Sequence, residues 1–233
     1  MVSSSPDDTN DRRYRRRREQ LVDALRSRGI HDQRVLSAIG AVPRHVFVDP
    51  ALRDRAYEDE ALPIGLNQTI SQPFTVAYQT SLLQVQTDDR ILEVGTGSGY
   101  QAAVLCEMGG RVFSVERHEG LLSRARSLLG QLGYDVRTRH GDGSNGWPAF
   151  APYDGIVVTA AAPDIPDALL RQLRDPSEKK GCRGGRLVIP IGGSGGQTMT
   201  RVTRTGTGPH DYEREEFHSF RFVPLVSGEG DDS

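Results

Sequence analysis

The chain has 233 residues, of which 36% are hydrophobic and 26% are charged, and its formal net charge is −2 at pH 7. This length allows one domain with a sizeable core, and no run approaches the roughly 18 apolar residues of a membrane span. The small net charge excludes a generally basic nucleic-acid binder. Two cysteines without metal-ligand spacing exclude a disulfide framework and a structural zinc site.

The start of the chain lacks the apolar stretch that a secretory signal needs. We therefore expect a cytoplasmic protein. We further expect a monomer with no membrane partner, no nucleic-acid partner and no bound metal.

The N-terminal end of the chain is polar and basic. Residues 1–11 have almost nothing to bury, and six of the seven residues at 12–18 are arginine, so residues 1–19 are expected to form a disordered arm. A helical spacing of apolar residues nevertheless starts at Arg12 and continues through residue 28. A second short helix follows, and Asp32 can cap its start.

Residues 20–233 are predicted to form one domain with three parts. Residues 20–80 make a helical cap with a long, irregular but ordered loop, residues 81–196 alternate apolar runs with helical patterns, and residues 197–228 form closing strands. The alternation predicts an α/β fold with a doubly wound, Rossmann-like sheet that is mostly parallel and covered on both faces.

The strands of this sheet are predicted from short apolar runs and from the change of pattern after Gly196. The last two predicted strands form an antiparallel hairpin at one edge. The runs cover residues 91–94, 112–115, 135–139, 156–158, 187–189, 197–205 and 217–226.

A glycine loop, EVGTGSG at residues 93–99, lies between the first of these strands and a helix. Ligands of α/β sheets bind at this carboxyl end, and glycines let a ligand approach the backbone closely. Glu116 ends the next strand, 21 residues after Gly95, where a carboxylate can accept hydrogen bonds from two ribose hydroxyls. The pattern predicts a cofactor that carries a nucleoside.

Two classes of cofactor compete for this loop. A dinucleotide site usually spaces its glycines as GxGxxG, so that a helix N-terminus meets a pyrophosphate. Here the spacing is GxGxG, and Glu93 lies two residues before the first glycine. S-adenosylmethionine has no phosphate and carries a cationic sulfonium, which a nearby carboxylate suits. We favour S-adenosylmethionine.

A third acid follows the third predicted strand. Asp142 lies between two glycines in HGDG, where its carboxylate could accept a proton from an adenine amino group. An Asp between glycines is also common in simple turns, so its place in the sheet supports the assignment more than the motif does.

Several segments together resemble the bacterial branch of the protein-L-isoaspartate O-methyltransferase family, over about residues 20–228. The glycine loop is common to many methyltransferases, whereas the segment at residues 67–73 and its companions near Pro43 and Pro224 are more restricted. The segments are VPRHVFV (42–48), ALPIG (61–65), NQTISQP (67–73), LEVGTGSGYQ (92–101), GDG (141–143), APYD (151–154), VTAA (158–161) and FVPL (222–225).

The resemblance implies transfer of a methyl group from S-adenosylmethionine to the free α-carboxylate of L-isoaspartyl residues in damaged proteins or peptides. The resulting ester cyclises to a succinimide, which can reopen to normal aspartate. Ser71 is implied to be the catalytic residue, and Thr69, Ser71 and the Val223 backbone are implied to hold the peptide. The candidate cofactor site comprises Thr69, Ile70, Glu93, Gly95, Gly97, Ser98, Gly99, Glu116, Arg117, Asp142, Gly143 and Thr159.

The chemistry is consistent with this set of residues. A carboxylate is already ionised at pH 7, so methyl transfer to it needs no strong general base. His45 and His140 are accordingly interpreted as structural groups. In-line placement of the two reactants and removal of water from the carboxylate can supply the acceleration.

Two other functions stay open. A related tailoring methyltransferase would use nearly the same residues to esterify an aspartate of a dedicated ribosomal peptide, so that an aspartimide forms. A nucleic-acid methyltransferase would use the arginine-rich arm, but residues 159–162 (TAAA) lack the Asn/Asp-Pro-Pro-aromatic loop of base N-methylation. The chain also departs from the family pattern at Tyr78 and Gln79 and in an insertion at residues 175–183.

Overall fold

The computed structural model describes residues 6–177, 183–193 and 195–228. It begins with two helices, α1 (Pro6–Ser27) and α2 (Gln33–Ala41). The Asp32 carboxylate accepts hydrogen bonds from the backbone N–H groups of Arg34 and Val35, which confirms it as the cap of α2.

The arginine-rich segment differs from the sequence expectation. Helix α1 starts at Pro6, so it replaces the disorder expected for residues 6–19, while residues 1–5 lie outside the described part of the chain. Tyr14 is buried, and its ring stacks on His45 with 3.9 Å between centroids. Arg13 and Arg17 both pair with Asp54. These contacts hold the helix in place. They join residues that are distant in sequence, so the composition of the segment could not reveal them.

The loop between α2 and the main sheet contains regular structure that the sequence did not predict. Strands β1 (Leu62–Gly65) and β2 (Gln68–Ile70) pair antiparallel as a separate two-stranded sheet. Helix α3 (Pro73–Leu83) follows directly, with Pro73 in its first turn. The residues between Ile70 and α3 are therefore held between a strand and a helix.

The main sheet confirms the predicted α/β class. Its strand order is β5-β4-β3-β6-β7-β8-β9; the first five strands are parallel and the last two pair antiparallel at one edge. The strands are β3 (Arg90–Val94), β4 (Arg111–Glu116), β5 (Val136–His140), β6 (Gly155–Val158), β7 (Arg186–Gly193), β8 (Gly196–Arg204) and β9 (Tyr212–Phe220), and the helices between them are α4 (Tyr100–Glu107), α5 (Glu119–Gln131) and α6 (Asp167–Leu170).

The last strand ends earlier than predicted. Strand β9 spans residues 212–220 rather than 217–226, and the chain then leaves the sheet. Residues 223–225 cross the carboxyl ends of the strands instead, where the Val223 carbonyl accepts from the Ala161 N–H and the Leu225 N–H donates to the Ala161 carbonyl. The end of the predicted apolar run therefore lies over the carboxyl end of β6 and does not extend the last strand.

The sheet has a hydrophobic cluster on each face, and its central strands β3 and β6 are almost entirely buried. The chain moves outward from β3 in one direction and from β6 in the other, so the topological switch point lies between them. In open α/β sheets, ligands bind at the carboxyl ends of such strands. None of the helices in the described residues has the length and apolar character needed to span a membrane.

Candidate active site

A cavity of about 270 Å³ lies at the carboxyl ends of β3, β4 and β6. Its walls include most of the residues selected from the sequence. Those on the cavity wall are Thr69, Ile70, Ser71, Gly95, Gly97, Ser98, Glu116, Arg117, Gly143, Thr159 and Val223. The fold thus brings the glycine loop, the 67–73 segment and the C-terminal segment to one place.

The glycine loop packs against the end of β6. Gly95 has φ +96°, and a Cβ added there would collide with the Thr159 hydroxyl. That hydroxyl donates to the carbonyls of Val94 at 3.0 Å and Gly95 at 2.8 Å. Position 95 therefore requires glycine for both its backbone conformation and this close contact.

Glu116 borders the cavity and is only 5% exposed. Its Oε2 atom accepts from the Gly97 N–H at 2.9 Å, and its Oε1 atom accepts from the His118 N–H at 3.0 Å. A carboxylate has about four acceptor positions, so two backbone bonds leave capacity for the hydroxyls of a ligand. The backbone bonds hold the carboxylate in place before any ligand binds.

Glu93 differs from the sequence expectation because it lies beneath the loop and does not line the cavity. Its carboxylate accepts from the Ser114 hydroxyl at 2.5 Å, and that hydroxyl is bonded in turn to the Thr96 hydroxyl at 2.5 Å. Burial raises the pKa of Glu93 to about 8, and the charge of Glu116 adds to the shift. At neutral pH Glu93 is a neutral acid, so it does not supply the anion expected beside a sulfonium.

The side chain of Asp142 also lies outside the cavity wall. Its Oδ1 atom accepts from the Ser144 N–H at 2.8 Å and hydroxyl at 2.7 Å, while its Oδ2 atom accepts from the Gly228 N–H at 2.8 Å. Burial opposes ionisation, but these hydrogen bonds outweigh it and lower the pKa of Asp142. The Asp142 carboxylate thus already joins the C-terminal segment to the end of the sheet. An adenine amino group would have to bind the same carboxylate alongside Ser144 and Gly228. Gly99 likewise lies off the cavity wall, packed against Leu129.

Ser71 lies in the short segment between β2 and α3. Its carbonyl accepts a hydrogen bond from Arg44 Nη2 at 2.8 Å. At the start of α3, just after the segment, the Phe74 N–H donates to Asp59 Oδ1 at 2.7 Å. Both flanks of the segment are thus anchored to residues that precede it by 15 or more positions in sequence.

Several residues of the cavity wall were missed from the sequence. Tyr100 and Gln101 follow the glycine loop in the first turn of α4, a position that could have identified them. The Gln101 Nε2 atom donates to the Thr80 hydroxyl at 3.0 Å. Leu225 ends the FVPL segment of the family resemblance, whereas Val226 carries no comparable signal, because only the path of the C-terminal segment brings it to the cavity.

The two histidines considered as bases have structural contacts instead. His45 Nδ1 lies 2.8 Å from the Tyr57 hydroxyl, and His140 Nε2 lies 3.0 Å from the Arg117 carbonyl. Both contacts join neighbouring segments of the chain. This structural role is consistent with a reaction in which the methyl acceptor is an ionised carboxylate and no histidine has to remove a proton from it.

Comparison with known proteins agrees with this geometry. A protein-L-isoaspartate O-methyltransferase from Salinibacter ruber is 77% identical over 225 residues, 97% of each chain, and one from Halorhodospira halophila is 53% identical over 91% of this chain and 93% of its own. A solved protein-L-isoaspartate O-methyltransferase superposes with a TM-score of 0.77 at 28% identity, over 90% of this chain and 66% of that longer chain.

A second solved structure, a Plasmodium falciparum chain in complex with S-adenosyl-L-homocysteine, has a TM-score of 0.75 at 23% identity, over 90% of this chain and 98% of its own, and shows the same fold. The family described as Protein-L-isoaspartate(D-aspartate) O-methyltransferase (PCMT) matches residues 16–230, which include every wall of the cavity. With that match and such relatives, the chain belongs to the protein-L-isoaspartate O-methyltransferase family.

Proposed function

We propose that this protein transfers a methyl group from S-adenosylmethionine to the free α-carboxylate of L-isoaspartyl residues in damaged proteins and peptides, acting as a cytoplasmic monomer. The observation that carries the proposal is the cavity itself. It brings the glycine loop and the Glu116 carboxylate together with the Ser71 segment around one space. Donor and acceptor can therefore meet in one cavity.

The residues of the cavity fit S-adenosylmethionine better than a dinucleotide. The Gly97 N–H, which a pyrophosphate would need, already donates to Glu116. Glu116 would hold the ribose hydroxyls, Gly95 and Gly97 leave room against the backbone, and Val94 and Val115 supply apolar surface. When bound, this cofactor supplies an electrophilic methyl group on a cationic sulfur.

The chain's own contribution is to bind, orient and desolvate the acceptor. The Ser71 hydroxyl would donate to the isoaspartyl carboxylate. Because the Val223 carbonyl is engaged by Ala161, the Val223 N–H is the backbone group left for an extended peptide. Residues 223–226 line the cavity, and a bound peptide beside them would displace water, which would strengthen both interactions.

The product explains how methylation would begin repair. A methyl ester is a better electrophile than a carboxylate, so the following backbone nitrogen can attack its carbonyl carbon, and the amide proton and the methoxy group leave as methanol. The succinimide that forms then hydrolyses to aspartyl or isoaspartyl linkages without the enzyme. No residue of the cavity is required for these later steps.

Methyl uptake from labelled cofactor by two matched peptides tests the proposal. The peptides differ only in an isoaspartyl or an aspartyl residue at one position. We expect base-labile label in the isoaspartyl peptide alone. Label in the aspartyl peptide alone would favour a tailoring enzyme, and label in neither peptide would overturn carboxyl methylation of isolated peptides.

A further inference from the structure

Arg44 is a fully buried arginine directly behind the Ser71 segment. Its Nε atom donates to the Ala56 carbonyl at 2.8 Å, and its Nη2 atom donates to the Ser71 carbonyl at 2.8 Å. Its guanidinium carbon lies 4.7 Å from the centroid of the Tyr100 ring, and Tyr100 lines the cavity. One side chain therefore contacts both the Ser71 segment and the start of α4.

The positive charge of Arg44 has no carboxylate partner within the described residues, and its Nη1 atom makes no hydrogen bond there. Burial lowers the pKa of Arg44 to about 10, which still leaves the group charged at neutral pH. Burial of a charge without a counter-ion is unfavourable for folding, and the two carbonyls and the Tyr100 ring offset part of that cost. The acceptor of the proposed reaction is an anion that would bind beside Ser71, whose carbonyl Arg44 holds.

We propose that Arg44 is a positioning residue for methyl transfer. It holds the Ser71 backbone against the cavity, and its buried charge favours binding of the anionic acceptor. This role rests on the proposed function. Methyl transfer from a sulfonium neutralises the carboxylate, so the charge stabilises the bound substrate more than the transition state. The effect should therefore appear in KM more than in kcat.

Two substitutions separate the charge from the hydrogen bonds. Arg44→Met removes both and keeps the stem, whereas Arg44→Lys keeps a charge but cannot reach both carbonyls with one ammonium group. We expect Arg44→Met to raise KM for the isoaspartyl peptide at least tenfold while the affinity for S-adenosylhomocysteine, measured by calorimetry, changes less than threefold. Arg44→Lys should recover part of the loss.

Arg34 offers a matched control. It also bridges two backbone carbonyls, of Val85 at 2.6 Å and Met108 at 2.8 Å, but lies at the surface away from the cavity. Arg34→Met should leave KM and kcat within twofold of the parent. A similar rise in KM in this variant would assign the effect to general loosening and overturn the proposal.

Hydrogen exchange of the peptide covering residues 66–74 gives a readout that does not need activity. We expect faster exchange there in folded Arg44→Met and unchanged exchange in Arg34→Met. Parent-like KM and exchange in folded Arg44→Met would overturn the proposal; should that variant not fold, the same two measurements on Arg44→Lys decide. If the parent fails to methylate the isoaspartyl peptide, the proposed function fails, while exchange still tests whether Arg44 holds the segment.

Discussion

The two walls of the cavity are built in different ways. The wall proposed to hold the cofactor, called the cofactor wall and defined as Gly95, Gly97, Ser98, Glu116 and Thr159, comes from the ends of adjacent parallel strands. Backbone N–H groups of the same strand ends hold its carboxylate. The wall proposed to hold the peptide, called the substrate wall and defined as Thr69, Ser71 and Val223, comes from the end of an isolated two-stranded sheet and from the C-terminal segment.

The difference shows how each wall is kept in place. The cofactor wall follows from a sheet that would form with or without a ligand. The substrate wall depends on side chains that reach its backbone from far along the chain, such as Arg44, 27 residues before Ser71. We therefore expect substitutions in the two walls to have separable effects on cofactor and peptide.

The largest effect in free energy is expected beneath the cofactor wall. Because the pKa of Glu93 is raised to about 8 in the folded protein, the folded state keeps a proton that the unfolded state loses above about pH 4.5. This contribution to stability is complete below pH 4.5 and is lost as pH rises towards 8, at up to about 1.4 kcal/mol per pH unit. Glu93→Gln, which cannot ionise, should remove that dependence.

Urea unfolding of the parent and of Glu93→Gln between pH 5 and pH 8 measures this difference. As pH rises, the free energy of unfolding of the parent should fall relative to that of the Gln variant. Glu107→Gln, at an exposed position, is the control. Parallel curves for the parent and Glu93→Gln would show that Glu93 is ionised beneath the loop.

A second substitution isolates the cofactor wall. Glu116→Ala should weaken cofactor binding at least tenfold, about 1.4 kcal/mol, because it removes a carboxylate that can bind the ribose hydroxyls. It also leaves the N–H groups of Gly97 and His118 without their acceptor, so the melting temperature should fall. Calorimetric affinity equal to that of the exposed control Glu119→Ala would contradict the assigned pocket.

The corresponding substitution in the substrate wall is Ser71→Ala. We expect turnover to fall by about five- to tenfold, roughly 1 kcal/mol, through loss of one hydrogen bond to the acceptor. Cofactor affinity should stay within twofold. Ser81→Ala, whose hydroxyl donates to the Ala77 carbonyl within α3, is a control for loss of a hydroxyl. Unchanged turnover in Ser71→Ala would reduce Ser71 to a structural residue.

The smallest effect is expected in the N-terminal helix, which lies outside both walls. Asp54 pairs with Arg13 at 3.0 Å, but the Asp54 side chain is 62% exposed. Exposed ion pairs contribute little, so Asp54→Asn should lower the free energy of unfolding by about 0.5 kcal/mol and leave kinetics unchanged. A loss above about 2 kcal/mol, measured by urea unfolding, would mean that the helix contributes far more to the fold than its exposed contacts indicate.

The meeting of the glycine loop and Glu116 at one cavity could be predicted because the signals for it are local. A glycine loop between a strand and a helix, followed by an acid at the next strand end, has one arrangement in a parallel sheet. Three residues of the predicted cofactor site, Glu93, Gly99 and Asp142, lie off the cavity wall. For the two acids, the sequence shows that a carboxylate is near a loop but not which way its side chain points. Side chains alternate between the two faces of a strand, but at the end of a short strand this pattern does not show whether an acid points into the cavity or into the core.

Local patterns were enough to predict the α/β sheet, the loop at its switch point and the family, because each depends on residues within short stretches of chain. The folded chain was needed to show that the arginine-rich segment is a helix packed through Tyr14, that β1 and β2 form a separate sheet, and that Arg44 reaches Ser71. Each of these depends on contacts between residues far apart in the chain, whose energies appear only once the core has brought them together.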